Sequence, residues 1–266
     1  MAEEVTANMS INEQRPAPAA IILAAGKGTR MGGDLPKVLH KVADKPMVYW
    51  VVKACKEAGV EKCVIVIGYK GELVKDALAG EQGVEFVEQT EQLGTGHAAQ
   101  MAQPAFENHP ATDVFVLAGD GPLIRAKTLA RLLEVHRRRR AASTMATAVI
   151  DDPSGYGRVV RNEAGEFDAI VEQKDATPAQ LEINEVNPSY YCFASDALFG
   201  GLSEVDNKNQ QGEYYLTDVP GLLKQQGQTV AVVDAVPAED ILSINTPQQL
   251  GVVDGILRER INQPTA

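Results

Sequence analysis

The chain has 266 residues, 36 of them Asp or Glu against 25 Lys or Arg, for a formal net charge of −11. That balance argues against a nucleic-acid backbone as partner, because proteins that bind one gain affinity by neutralising phosphates. Apolar residues make up 44%, enough to bury one large α/β domain or two small ones, yet no run approaches the ~18 apolar residues that a membrane helix needs.

Residues 1–18 are polar and lack the apolar stretch of a signal peptide, so they read as a disordered tail. The first apolar run, Ala19–Leu23, predicts a buried strand. Further strands are expected at Lys62–Ile67, Val84–Val87, Asp113–Leu117 and Ser143–Val149. Helical periods lie between them at Pro46–Ala58, Gly71–Leu78, Thr95–Ala102 and Ala126–Arg139. This alternation predicts a doubly wound, mostly parallel Rossmann-like α/β sheet, whose ligands sit outside the carboxyl ends of the strands. The basic run Arg137-Arg138-Arg139-Arg140 closes the fourth helix and reads as a solvated C-terminal cap.

The rhythm changes after Asp151. Gly157–Arg161 and Asp168–Val171 predict a hairpin, Asn184–Ala194 one strand, Val230–Val236 a late strand, and Thr246–Arg260 a closing helix with Pro247 in its first turn. The expected organisation is one domain over residues 19–262: a first part to about residue 150, then a smaller lobe over 151–262. Cys55, Cys63 and Cys192 are odd in number and lack metal-ligand spacing, as expected for reduced, buried thiols of a cytoplasmic protein.

The loop after the first strand carries the chemistry. Leu23-Ala24-Ala25-Gly26-Lys27-Gly28-Thr29-Arg30-Met31 is rich in small residues, so backbone N–H groups can close around phosphate oxygens. It is neither a P-loop, which needs Ser or Thr after Gly-Lys, nor a dinucleotide fingerprint, which needs glycine where Met31 stands. Arg30 and Lys37 supply cations suited to a phosphate chain. The residues show no nucleophile motif, and His40 and His97 read as packing or loop-bonding residues. Asn245, before the last helix, is read either as its N-cap or as an oxygen ligand.

Leu23–Met31 with Leu35-Pro36-Lys37-Val38-Leu39-His40 resembles the signature of sugar-1-phosphate nucleotidyltransferases. Further matches follow in order at Gln89–Ala98, Ala118–Ile124, Gly155–Val160, Val171–Thr177 and Gly212–Asp218. Within that family the chain is most similar to the uridylyltransferase half of bifunctional bacterial enzymes that make UDP-N-acetylglucosamine. No hexapeptide repeat follows, so the left-handed β-helix acetyltransferase half is expected to be missing.

The resemblance implies uridylyl transfer from UTP to N-acetylglucosamine 1-phosphate, with Mg²⁺ as cofactor. It places Arg30 at the pyrophosphate end and Lys37 at the α-phosphate. It assigns Leu23, Ala24, Ala25, Gly26, Gly28, Thr29, Gln89, Gly94 and Thr95 to the nucleotide. Gly157, Glu172 and Asn187 are assigned to the sugar, and Asp120 with Asn245 to the metal. Gln89 offers the donor and acceptor that a uracil edge requires, and Gly94 and Gly96 allow close approach.

Two positions depart from the family pattern. Asn187-Pro188-Ser189 stands where Asn-Thr-Gly is common, and Ala118 replaces a frequent Tyr or Ser. Both touch the sugar side. Transfer to another sugar phosphate, transfer of a thymidylyl or cytidylyl group, and non-catalytic binding of a nucleotide sugar therefore stay open. UTP and a hexosamine 1-phosphate are the expected partners, with neither membrane nor nucleic acid, in a monomer or weak homo-oligomer.

Overall fold

The computed structural model describes residues 15–109, 113–234 and 236–263. Most of the expected tail lies outside them. Of its last four residues, Pro18 is buried and the Pro16 carbonyl accepts a hydrogen bond from Arg137 (3.0 Å).

Thirteen strands are described: β1 (Ala19–Ala24), β2 (Lys41–Val42), β3 (Lys45–Pro46), β4 (Lys62–Ile67), β5 (Val84–Glu88), β6 (Asp113–Ala118), β7 (Ser143–Ala146), β8 (Ala148–Val149), β9 (Gly157–Arg161), β10 (Phe167–Val171), β11 (Glu185–Asn187), β12 (Tyr190–Ala194) and β13 (Val230–Val233). Seven form the main sheet in the order β13-β7-β12-β6-β1-β4-β5. All of its neighbours run parallel except β12, which is antiparallel to both β6 and β7.

Strand β1 lies at the centre, and its apolar run follows from that position. Ala20, Ile22 and Ala24 enter the core on one face, while Ala19 and Ile21 enter the core on the other. Ile21 and Ile22 are fully buried, each contributing roughly 1.5–3 kcal/mol of apolar transfer. Helices Met47–Glu57 and Ala126–Arg139 supply Val48, Val51, Val52, Leu129 and Leu132 to the first face. Helices Thr95–Gln100 and Ser195–Leu202 supply Ala98, Ala99, Leu198 and Phe199 to the second.

Two expected strands are each broken in two. Ser143–Val149 divides at Thr147 into β7 in the main sheet and β8 in a second, antiparallel sheet of order β10-β9-β11-β8. Asn184–Ala194 divides at Pro188-Ser189 into β11 in the second sheet and β12 in the main one. Pro188 has no N–H for a ladder, and Ser189 adopts φ 61, so neither continues a strand. The second sheet takes β9, β10 and β11 from after residue 151 and β8 from before it, while β12 and β13 return to the main sheet.

Of the basic run, Arg138, Arg139 and Arg140 are exposed at the helix C-terminus as expected, whereas Arg137 is half-buried: its Nε donates to Asp113 (2.7 Å), tying the helix to the start of β6. Cys55, Cys63 and Cys192 are all buried and free. Among the described residues no helix is long and apolar enough to cross a membrane.

Candidate active site

The carboxyl ends of β1, β5 and β6 open onto a cleft of about 540 Å³. It lies where the chain leaves β1 with a neighbour on either side, the topological switch point of the sheet. Leu23, Ala24, Ala25, Gly26, Gly28, Thr29, Arg30, Lys37, Gln89, Gly94, Thr95, Asp120 and Glu172 all line it.

The cations and the expected metal ligands meet at its rim. The Lys37 ammonium donates to Asp120 Oδ2 and to Asn245 Oδ1 (2.7 Å), and Arg30 Nη2 donates to the same Asn245 oxygen (2.8 Å). These four side chains come from three distant parts of the chain. Gly28 makes the approach of Lys37 possible: at φ +68, a Cβ added there would lie 2.9 Å from Lys37 Cγ. Gly119, just past β6, packs its backbone against the end of β1, its N–H donating to the Leu23 carbonyl (2.9 Å). That contact sets Asp120 over the cleft.

The two readings of Asn245 are separated by the helix that follows. Thr246 is its N-cap, in a reciprocal capping box with Gln249. Asn245 is thus free of capping, and its oxygen turns to the cations. The loop that carries it is pinned by buried groups. Asp240 Oδ1 accepts from Arg125 Nε (2.9 Å) and Arg260 Nη2 (2.6 Å), while the Tyr190 hydroxyl donates to the Asp240 carbonyl (2.8 Å).

Gln89 is buried, its Nε2 shared between the Gly94 carbonyl (3.1 Å) and His97 Nδ1 (3.0 Å). Gly94 and Gly96 also make room within the protein: Cβ atoms there would lie 2.5 Å and 3.0 Å from the Tyr214 carbonyl oxygen, so their bareness admits the Glu213–Leu216 segment. The Gly96 N–H donates to that carbonyl (2.8 Å), and the Thr95 hydroxyl accepts from the Leu216 N–H (3.1 Å).

That segment brings Glu213, Leu216 and Thr217 into the cleft. The Gly212–Asp218 motif was the sequence signal for it, although no role was attached to its residues. Glu172 lies beside it and accepts from the Thr217 hydroxyl (3.0 Å). Burial, and then the charges of Asp175 and Glu213, push the Glu172 carboxyl up from its ordinary range. Burial, with Glu172 next, pushes Asp218 up to about 6. Gly157 does not line the cleft. It backs Glu172, and a Cβ there would lie 3.7 Å from the Glu172 carboxyl.

Asn187 is not at the cleft surface either. It is buried, its Oδ1 accepting from the Ser189 N–H (3.1 Å) and its Nδ2 donating to the Tyr191 hydroxyl (2.6 Å). The sheet switch after β11 consumes its amide. Ser189 and Tyr191, which sequence reasoning passed over, face the cleft instead.

A central parallel sheet with glycine-loop cations at its switch point defines a nucleotide-handling enzyme of the transferase type. Residues 20–216 match the model of the MobA-like NTP transferase domain, and the chain belongs to that family. It is 47% identical over 244 residues to the bifunctional protein GlmU of Streptococcus gordonii, covering 92% of this chain and 52% of that protein. It is 44% identical to GlmU of Syntrophomonas wolfei, covering 92% and 54%. The chain thus spans about half the length of the curated relatives it matches. The fold is shared with a UDP-glucose pyrophosphorylase solved with UDP-glucose, at TM-score 0.74 and 19% identity over 92% of this chain and all of that one.

Proposed function

We propose that the chain transfers a uridylyl group from UTP to N-acetylglucosamine 1-phosphate, giving UDP-N-acetylglucosamine and pyrophosphate. The observation that carries this reading is the Lys37 ammonium held between the Asp120 carboxylate and the Asn245 amide oxygen, beside the glycine loop. A sugar-phosphate oxygen attacks the α-phosphorus in line; the new P–O bond forms as the bond to the β-phosphate breaks, and pyrophosphate leaves with the electron pair. The protein's task is to hold the reactants and offset charge.

The loop from Leu23 to Thr29 presents backbone N–H groups to the phosphates. Arg30, exposed at the outer rim, grips the pyrophosphate end, and Lys37 turns to the α-phosphate oxygens as charge builds there. Gln89 Oε1 accepts the uracil N3–H, because its Nε2 is already committed. Glu172 accepts from sugar hydroxyls.

Asp120 and Asn245 fit a divalent ion by their donor chemistry: one carboxylate and one amide, both hard oxygens, already share a cation in the form of the Lys37 ammonium. Mg²⁺ bound there supplies charge neutralisation along the phosphates.

Pyrophosphate release measured over a panel of nucleoside triphosphates and sugar 1-phosphates tests the proposal. UTP with N-acetylglucosamine 1-phosphate is expected to give the highest kcat/KM. Higher turnover with another pair reassigns the substrate, and binding of UDP-sugars without any turnover overturns catalysis.

A further inference from the structure

The switch between β11 and β12 carries a feature that the chemistry above does not use. Ser189 adopts φ 61, a left-handed conformation that disfavours any Cβ. The turn itself asks for no side chain there: Asn187 Oδ1 accepts the Ser189 backbone N–H, which glycine would offer equally well. A strained serine kept at a ligand cleft directs attention to its side chain.

Two observations say where that side chain acts. Ser189 lines the cleft beside Tyr191, whose buried hydroxyl accepts from Asn187 Nδ2 (2.6 Å). The register supplies the second observation. Tyr190 pairs with Leu117 and Tyr191 with Val116; the ladder begins one residue after Ser189, at the end of β6 where Ala118 lines the same cleft. A hydroxymethyl group and a methyl group thus share one stretch of the cleft wall.

We propose that Ser189 is a specificity-determining residue of the sugar subsite: its Oγ accepts a hydrogen bond from an N–H or O–H on a hexose substituent lodged over Ala118. The inference rests on the uridylyl-transfer reading. It also explains why Asn187, whose amide is spent inside the protein, is not the group that this turn presents to the sugar.

Calorimetric titration with UDP, UDP-N-acetylglucosamine and UDP-glucose, on the parent chain and on Ser189→Ala and Ser189→Gly, tests it. The parent is expected to bind one UDP-sugar more tightly than UDP. Ser189→Ala, which keeps the wall and loses the acceptor, reduces that advantage about tenfold while the UDP affinity stays within about twofold. Ser189→Gly loses the same advantage and melts at or above the parent temperature, because the left-handed strain is gone. An unchanged sugar preference in both variants overturns the proposal and leaves the uridylyl reading standing. A parent chain that binds neither UDP nor a UDP-sugar overturns the uridylyl reading, and this proposal with it.

Discussion

Gly28→Ala separates two costs that the structure keeps apart. The first is backbone strain: an L-residue at φ +68 loses roughly 1–2 kcal/mol, a Tm fall of about 2–8 °C for a chain of this size. Gly59 carries the same cost at φ +85 but has nothing within 4 Å of an added Cβ, and it sits in the turn after helix Met47–Glu57. Gly59→Ala is therefore a control for strain alone. The second cost belongs to Gly28 only. Its new Cβ would sit 2.9 Å from Lys37 Cγ and 3.2 Å from Lys37 Cα, so the lysine must move off Asp120 and Asn245. A displacement of about 1 Å at a group that holds reacting phosphates costs on the order of 100-fold in rate. Thermal melts and pyrophosphate-release kinetics on both variants read the two costs. Similar Tm losses are expected, with kcat/KM down about 100-fold for Gly28→Ala and within about twofold of the parent for Gly59→Ala. Equal activity in the two variants would refute the claim that Gly28 exists to seat Lys37.

Asp120→Asn removes the charge that Lys37 answers and is expected to lower kcat at least about 100-fold with the fold intact by circular dichroism; a near-parent rate removes Asp120 from the mechanism. Gln89→Ala is expected to cut the kcat/KM preference for UTP over CTP about tenfold, the worth of one lost hydrogen bond, and an unchanged preference places base reading elsewhere. Asp218 gives a pH dependence of definite sign. Its carboxyl titrates at about 6 when folded against an ordinary 3.8, so the folded state binds the proton more tightly, and stability is lost as pH rises through 6. The full shift is worth roughly 3 kcal/mol, and solvent screening of this partly exposed group leaves roughly 1–2 kcal/mol. The stability advantage of Asp218→Asn should therefore be larger at pH 8 than at pH 4 by that amount in urea melts, and a pH-independent difference contradicts it.

What was legible in the sequence was what short range determines. Ala19–Leu23 reads as a buried strand because both of its faces are apolar, and the glycine-rich loop after it reads as a phosphate cradle because small residues and two cations follow at once. The alternation through residue 139 gives the parallel half of the sheet directly. The breaks at Thr147 and at Pro188-Ser189 were hidden, because an unbroken apolar run carries no mark that its two ends pair in different sheets. Pro188 was visible as a lost donor, but the choice to cross between sheets depends on strands far off in the chain, β8 and β9 on one side and β6 and β7 on the other. Asn187 shows the same limit. Its amide is consumed by Ser189 and Tyr191, two neighbours whose directions only the turn decides. Gly94 and Gly96 read as making room, and the approach of Tyr214 to both was not visible in the sequence. Asn245 could not be told from a helix cap until Thr246 was seen to fill that place.

The central claim is that Asp120, Asn245, Lys37 and Arg30 form one receiving site for a triphosphate and its metal ion. A crystal structure of the chain with UTP and Mg²⁺ tests it most directly. The account predicts one ion bound to both Asp120 Oδ2 and Asn245 Oδ1, with the Lys37 ammonium moved from those oxygens onto the α-phosphate. A triphosphate bound away from the β1 loop, or a Lys37 still seated between Asp120 and Asn245 with the ion elsewhere, would contradict it.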